Sequence, residues 1–202
     1  MLPDYDAAIA YALRHLEQDL SPQLFYHSLD HTRREVVPAA DRFASKEGLV
    51  GEEFQLLRIA AFFHDLGFTE QYDGHESVSA RIAAEVLPIY HFMPAQVDVV
   101  CRAIMATRLP QSPTSLLEEV LVDADLDVLG KEDFFRRSKD LQRELATQGR
   151  GMDDPQWYAT QVKFLKGHTY WTAAARELRN TQKQRNIEHL ERLLNQGSRP
   201  EM

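Results

Sequence analysis

Cysteine is almost absent from this chain: Cys101 is the only one among 202 residues. An intrachain disulfide and a cysteine-rich zinc knuckle are both excluded on that count. Cys101 itself falls in an apolar helical stretch and reads as a small buried side chain. Long hydrophobic runs are missing too, and no segment approaches the roughly 20 apolar residues that a membrane span requires. Met1-Leu2-Pro3-Asp4-Tyr5-Asp6 lacks the basic region and apolar core of a signal peptide, so a cytoplasmic protein is expected. Positive charge is outnumbered, 23 Lys and Arg against 31 Asp and Glu. A net charge of −8 argues against sequence-independent binding to long nucleic acid, which needs basic surface. It leaves room for a small phosphorylated ligand held by a local group of Arg and Lys. Neither a Gly-rich phosphate loop nor a local Ser-His-Asp arrangement is present, and no alternating β-branched run or Asn-Gly hairpin signal stands out.

With 44% hydrophobic and 27% charged residues, the composition is that of an ordinary globular protein, and the length suits one domain over 1–202. The patterning is helical almost throughout. Ser21-Pro22 has the form of an N-cap followed by a first-turn proline. A helix from about Leu29 ends at Gly48, with a kink or break expected at Pro38. Glu52 and Glu53 open the next, in which Phe54, Leu57, Ala61 and His64 share a face. Val78, Ile82 and Val86 mark an amphipathic helix from His75 to Leu87. Another runs from Ala95 to Thr107, before the proline-punctuated loop Leu109-Pro110-Gln111-Ser112-Pro113. Ser115, with Glu118 placed for a capping box, starts a further one. Segments near 131–147, 155–166 and 172–194 complete an all-α fold of roughly eight helices. Its core spans about 22–190, with a frayed tail from about 196.

One dipeptide carries the chemistry. His64-Asp65 ends the apolar run Ile59-Ala60-Ala61-Phe62-Phe63, and Gly67 behind it reads as a helix stop. An imidazole and a carboxylate at the negative end of a buried helix need partners, and a divalent cation would supply one. Asp123-Ala124-Asp125-Leu126-Asp127 offers a second carboxylate. Around Asp125 the positions three and four away are Leu121, Val122, Val128 and Leu129, so Asp125 belongs to the buried stripe, while Asp123 and Asp127 read as solvated. A buried carboxylate without a partner is costly or takes up a proton, and coordination resolves that. Tyr26-His27-Ser28-Leu29-Asp30-His31 offers two histidines. His31, at the start of a helix that Ser28 can cap, is favoured over the loop residue His27. Two imidazoles and two carboxylates suit one divalent ion among Mn²⁺, Fe²⁺, Co²⁺, Ni²⁺, Zn²⁺ and Mg²⁺.

In order and approximate spacing, His31, then His64-Asp65, then Asp125 resembles the HD superfamily of metal-dependent phosphohydrolases. Gly74-His75-Glu76, Ala106-Thr107-Arg108-Leu109-Pro110 and Phe164-Leu165-Lys166-Gly167-His168 also look like its small stand-alone members. The resemblance implies a helical fold with one metal held by His31, His64, Asp65 and Asp125, and hydrolysis of a phosphomonoester or phosphodiester, often of a nucleotide. In such a site Asp65 both ligates the metal and orients the attacking water. Leu66 stands where the di-iron oxygenase branch has a second Asp, which argues against a dinuclear centre.

Further candidates surround this set. His75 and Arg108 are expected to act in catalysis by contacting a phosphate or a leaving group. Lys163, Lys166 and His168 form a basic group at helical spacing. Glu35, one turn after His31, is placed to accept its hydrogen bond. Phe134-Phe135, Trp157-Tyr158 and Tyr170-Trp171 read as packing aromatics, and His15, His91 and His189 fit no ligand pattern. The leading expectation is thus a metal-dependent phosphohydrolase acting on a small phosphorylated compound, a nucleotide first. The alternative is a non-catalytic regulatory module that binds metal and nucleotide. A homo-oligomer is left open.

Overall fold

The computed structural model describes residues 2–197, and among them there are nine α-helices and no strand. The N-terminal helix α1 (Tyr5–Asp19) is one that the sequence reading does not single out. Asp4 caps it by accepting from the Ala7 N–H at 3.0 Å, and Ala8, Ala12 and Leu16 form its buried stripe. Ser21-Pro22 begins no helix: residues 20–28 form a chain of turns and bends. The tail expected beyond Gln196 falls almost wholly outside the described residues, because the last helix continues through Gly197.

Pro38 alters its helix without breaking it. A π-helical turn (His31–Val36) runs directly into α2 (Val37–Glu47), and the Val37 N–H reaches back five residues to the Thr32 carbonyl. Proline has no N–H and its ring collides with the carbonyl four residues before it, so a widened turn is the relief. Ser28 Oγ caps this segment by accepting from the His31 N–H at 3.4 Å.

At the centre lies α3 (Gly51–Phe63), packed on α1, α2, α5 (Pro94–Ala106) and α6 (Leu116–Asp125). Its second half, Leu56 to Phe63, is buried on nearly every side, as a helix surrounded by others must be apolar all round. Gly67 does not act as the left-handed stop expected of it. It sits in a three-ten turn, Leu66–Thr69, at ordinary φ, and is needed for close approach: a Cβ there would lie 2.0 Å from the carbonyl oxygen of His75, the first residue of α4 (His75–Val86). The Gly67 N–H also donates to Ser79 Oγ at 2.7 Å, which fastens the turn to α4.

The C-terminal third comprises α7 (Phe134–Thr147), α8 (Asp154–Gly167) and α9 (Ala173–Gly197), with α8 packed on α9. Two carboxylates expected in solvent hold it in place. Asp123 is fully buried and accepts from the backbone N–H groups of Trp171 and Thr172 at 2.9 and 2.8 Å and from Thr172 Oγ1 at 2.7 Å. Asp127 is buried between Arg42 on α2 and Arg179 on α9, at 3.1 and 2.5 Å. Their partners lie far along the chain, and α6 ends at Asp125, so helical phase no longer governs Asp127. Ser115 caps α6 as expected, accepting from Glu118 N–H at 3.3 Å, but Glu118 turns instead to the N–H and hydroxyl of Thr114.

Gly67→Ala drives a methyl group into the backbone of α4. Overpacking of this kind costs about 1–3 kcal/mol, and chemical denaturation should show a loss at the top of that range. An unchanged midpoint would mean that the close approach is not needed.

Candidate metal centre

His31 starts the π-helical turn, His64 and Asp65 follow the last turn of α3, and Asp125 ends α6. Packing of these segments brings the four side chains together. Two of the ring nitrogens are already committed: His64 Nδ1 donates to the Ala61 carbonyl at 2.7 Å, and His31 Nδ1 lies 3.0 Å from Glu35 Oε2. Both Nε2 atoms consequently face the carboxylates. His31 Nε2 is 3.4 Å from Asp125 Oδ1 and 3.8 Å from Asp65 Oδ2, and His64 Nε2 is 3.3 Å from Asp65 Oδ2 and 3.5 Å from Asp125 Oδ1.

His64 Nε2 and Asp65 Oδ2 are buried and make no hydrogen bond. Leaving such groups unpaired in the interior is unfavourable. Ligand atoms of His31, His64 and Asp65 all lie within 4.8 Å of one another, the one such group among the described residues. Donors about 2.1 Å from a shared ion are about 3.0–3.4 Å apart, close to the spacings seen here. The donor set fits a divalent cation.

Electrostatics agree with the geometry. Burial alone would lower both imidazoles, yet the facing carboxylates of Asp65 and Asp125 hold His64 well above the ordinary histidine range. His31 is raised for the same kind of reason, by Asp125, Glu35 and Asp65. Burial would raise the two carboxylates, and the facing imidazoles pull Asp65 and Asp125 below the usual range instead. The pocket thus gathers positive charge around its carboxylates, as protons or as a metal ion. Asp125 is the least buried of the three neighbouring aspartates because it borders a cavity; its side chain is 21% exposed.

A second ring of side chains surrounds these four. His75 Nε2 is 3.6 Å from Asp65 Oδ1, and the His75 ring stacks on Phe68 with centroids 3.8 Å apart. His27, set aside as a loop residue, also stacks on Phe68, at 4.2 Å, and lines the same cavity. Its Nδ1 lies 2.5 Å from Glu144 Oε1, which also accepts from Tyr72 OH at 2.9 Å. The other Glu144 oxygen accepts from the N–H groups of Tyr26 and His27 at 2.8 and 3.1 Å. Arg137 secures Glu35 at 2.9 Å, donates to the Tyr26 carbonyl at 2.8 Å and covers the Tyr26 ring. Glu144 and Arg137 come from α7, more than 100 residues beyond Tyr26 and His27, and no local motif could reveal them.

Arg108 does not join this ring. Its side chain is exposed, with no hydrogen bond or ion pair among the described residues, while its neighbours Thr107 and Leu109 line the cavity. The phosphate contact expected of Arg108 has no geometric basis here. Of the basic group on α8, Lys166 pairs with Glu191 at 2.5 Å and His168 meets Lys183 at 3.1 Å, while the exposed Lys163 lines, with His168, a second pocket that shares Leu109, Thr160 and Phe164 with the cavity beside His27. Burial and the Lys183 charge push the His168 imidazole down to about 4.

A cavity of about 410 Å³ opens beside Asp65, Asp125, His75 and His27, a size ordinary for small-molecule sites.

Neither the protein-family models nor the curated proteins match this chain. One solved structure that does is a protein from an uncultured Thermotogales bacterium, described as a predicted HD superfamily hydrolase. It aligns over 97% of this chain and 94% of its own with a TM-score of 0.63, at 24% identity. The chain has the HD-domain fold. At that identity the likeness establishes architecture, and the chemistry rests on the residues above. Among the described residues, no helix of this HD-domain bundle is long and apolar enough to cross a membrane.

Glu144 supplies a test by pH. Burial would raise its carboxyl, but the His27 ring and the two backbone N–H groups hold it below its ordinary value. A group with a lowered folded pKa stabilises above its unfolded pKa and loses that contribution as pH falls. Wild type should therefore exceed Glu144→Gln by about 1–3 kcal/mol at neutral pH. The gap should close progressively below about pH 4.3 in urea titrations, and a gap independent of pH would contradict the assignment.

Proposed function

We propose that this protein is a metal-dependent hydrolase of phosphate esters, with the ion held by His31, His64, Asp65 and Asp125. The observation that carries the reading is the convergence of two imidazole Nε2 atoms on two carboxylates, with His64 Nε2 and Asp65 Oδ2 buried and without a hydrogen bond among the described residues. A bound divalent ion would supply Lewis acidity toward a phosphoryl oxygen and a lowered pKa for a bound water. The chain's own groups would do the rest. Asp65 has one oxygen facing the imidazoles and the other 3.6 Å from His75, so it can ligate through the first and orient the attacking water through the second. His75 and His27, both on the cavity wall, are placed to give a proton to the leaving oxygen. The ester P–O bond breaks and the oxygen of water takes its place on phosphorus. One proton of that water ends on the released alcohol, and the other stays on phosphate.

Support for a nucleotide substrate comes from the sequence resemblance, and the cavity adds none, since neither Lys nor Arg is among its lining residues. Phosphate release from a panel of nucleotides, phosphomonoesters and phosphodiesters, with the protein loaded in turn with each candidate metal, tests the activity. Asp65→Ala and Asp125→Ala should each lose about 100-fold or more of the turnover. Equal rates from all three folded, metal-loaded proteins would sink the proposal.

Glu35 gives a second test that needs no substrate. By holding His31 Nδ1 it fixes the ring that presents Nε2, and such partners are worth about 10–100-fold in metal affinity. Glu35→Gln should weaken metal binding by that factor in competition titrations with a chelator. Undiminished affinity would remove His31 from the ligand set.

A further inference from the structure

The geometry points to a substrate whose alcohol half is an uncharged apolar group, alkyl or aryl, seated between α7 and α8; this rests on reading the centre as a phosphate-ester hydrolase. The cavity beside the metal ligands has two unlike ends. One holds Asp65, Asp125, His75 and His27, and the other is walled by side chains of the C-terminal third. On α7, Phe134, Ser138, Leu141 and Leu145 follow helical spacing and all face the cavity. On α8, Trp157, Gln161 and Phe164 do the same from the opposite side. Leu126, Val128 and Leu129, just past the ligand Asp125, join the two ends.

Apolar stripes on helices ordinarily meet another helix. Leu141 and Leu145 remain only half-buried and border open volume, Leu141 while also packing against the hydrophobic core. Most polar groups of this wall are already satisfied within the protein. Trp157 Nε1 donates to Ser138 Oγ at 2.9 Å, Thr160 Oγ1 to the Gln156 carbonyl at 2.9 Å, and Thr107 Oγ1 to the Ile104 carbonyl at 2.8 Å. Gln161 is the neutral side chain left to meet a ligand. Charge completes the argument. Apart from the proposed ligands Asp65 and Asp125, the lining carboxylates are Glu76 and Asp73, the latter paired with Arg150, and no Lys or Arg is among the lining residues, so a polyphosphate chain would find no lining cation beyond the metal. One phosphate at the metal and a hydrocarbon body in the arm match both ends.

A series of n-alkyl phosphates from methyl to hexyl, run beside AMP and ATP, tests this on the metal-loaded protein. The expected result is a rise in kcat/KM of about fourfold per methylene until the arm is filled, with hexyl phosphate ahead of both nucleotides. Leu141→Gln and Leu145→Gln, at half-buried positions and checked for folding by circular dichroism, should flatten that slope. A flat or falling series, or preference for a nucleotide, would overturn the inference. If no ester of any kind is cleaved, the hydrolase reading fails, and calorimetry with n-alkyl phosphonates decides the arm by itself. Affinity that grows with chain length in wild type and not in Leu141→Gln upholds an apolar arm, and affinity independent of length refutes it.

Discussion

A carboxylate taken out of water must find compensating charge or hydrogen bonds, and this requirement organises the molecule. The chain is acidic, and several of its carboxylates are buried. Each is resolved differently. Asp123 is met by backbone N–H groups and a hydroxyl, Asp127 by two arginines, Glu144 by an imidazole, a phenol and two N–H groups, and Glu35 by Arg137 and His31. Asp65 and Asp125 are the pair that faces the Nε2 atoms of two imidazoles. The same physics that fastens α6 to α2 and α9 leaves, at one point, an arrangement suited to a cation.

The supports of that arrangement are independent of any ion. His64 is oriented by a carbonyl on its own helix, and His31 by a glutamate one turn along the widened helical segment that Pro38 brings about. Arg137 then holds the glutamate from α7, and Gly67 lets the start of α4 come close enough for His75 to reach Asp65. Donors held in this way lose little conformational freedom when they bind, which favours affinity and fixes geometry.

How much of this was legible in the sequence follows from the reach of each interaction. His64 lay on the inward face of α3 by simple periodicity, and Glu35 was placed by the four-residue spacing of a helix turn. Asp125 does face the two imidazoles, but the burial order expected of the three aspartates is inverted, with Asp125 the most exposed of them. Asp123 and Asp127 were misjudged, because their partners are Thr172 and Arg179, some fifty residues on. His27 was passed over for the same reason: what makes it part of the site is Glu144, 117 residues away. Gly67 was noticed for the wrong property. Its sequence position suggested a turn, whereas its lack of a Cβ matters only once α4 lies against it. Residues whose roles depend on their own helix could be read; residues defined by a distant partner could not.

The cavity adds a constraint that periodicity alone hides. The apolar positions of α7 and α8 look in sequence like ordinary packing stripes, and their aromatic residues were read that way. In the structure Trp157 and Phe134 are indeed buried, but the stripe they belong to borders open volume that is also lined by Asp65 and Asp125. A helix face that remains apolar without a helical partner is a standing cost in water unless something else covers it. A phosphate-binding centre supplied with basic walls would favour charge along the whole ligand. Here the cavity walls carry no Lys or Arg, so under the proposed function a bound metal would fix the position of the reacting group while the arm discriminates by the shape and hydrophobicity of what is attached to it.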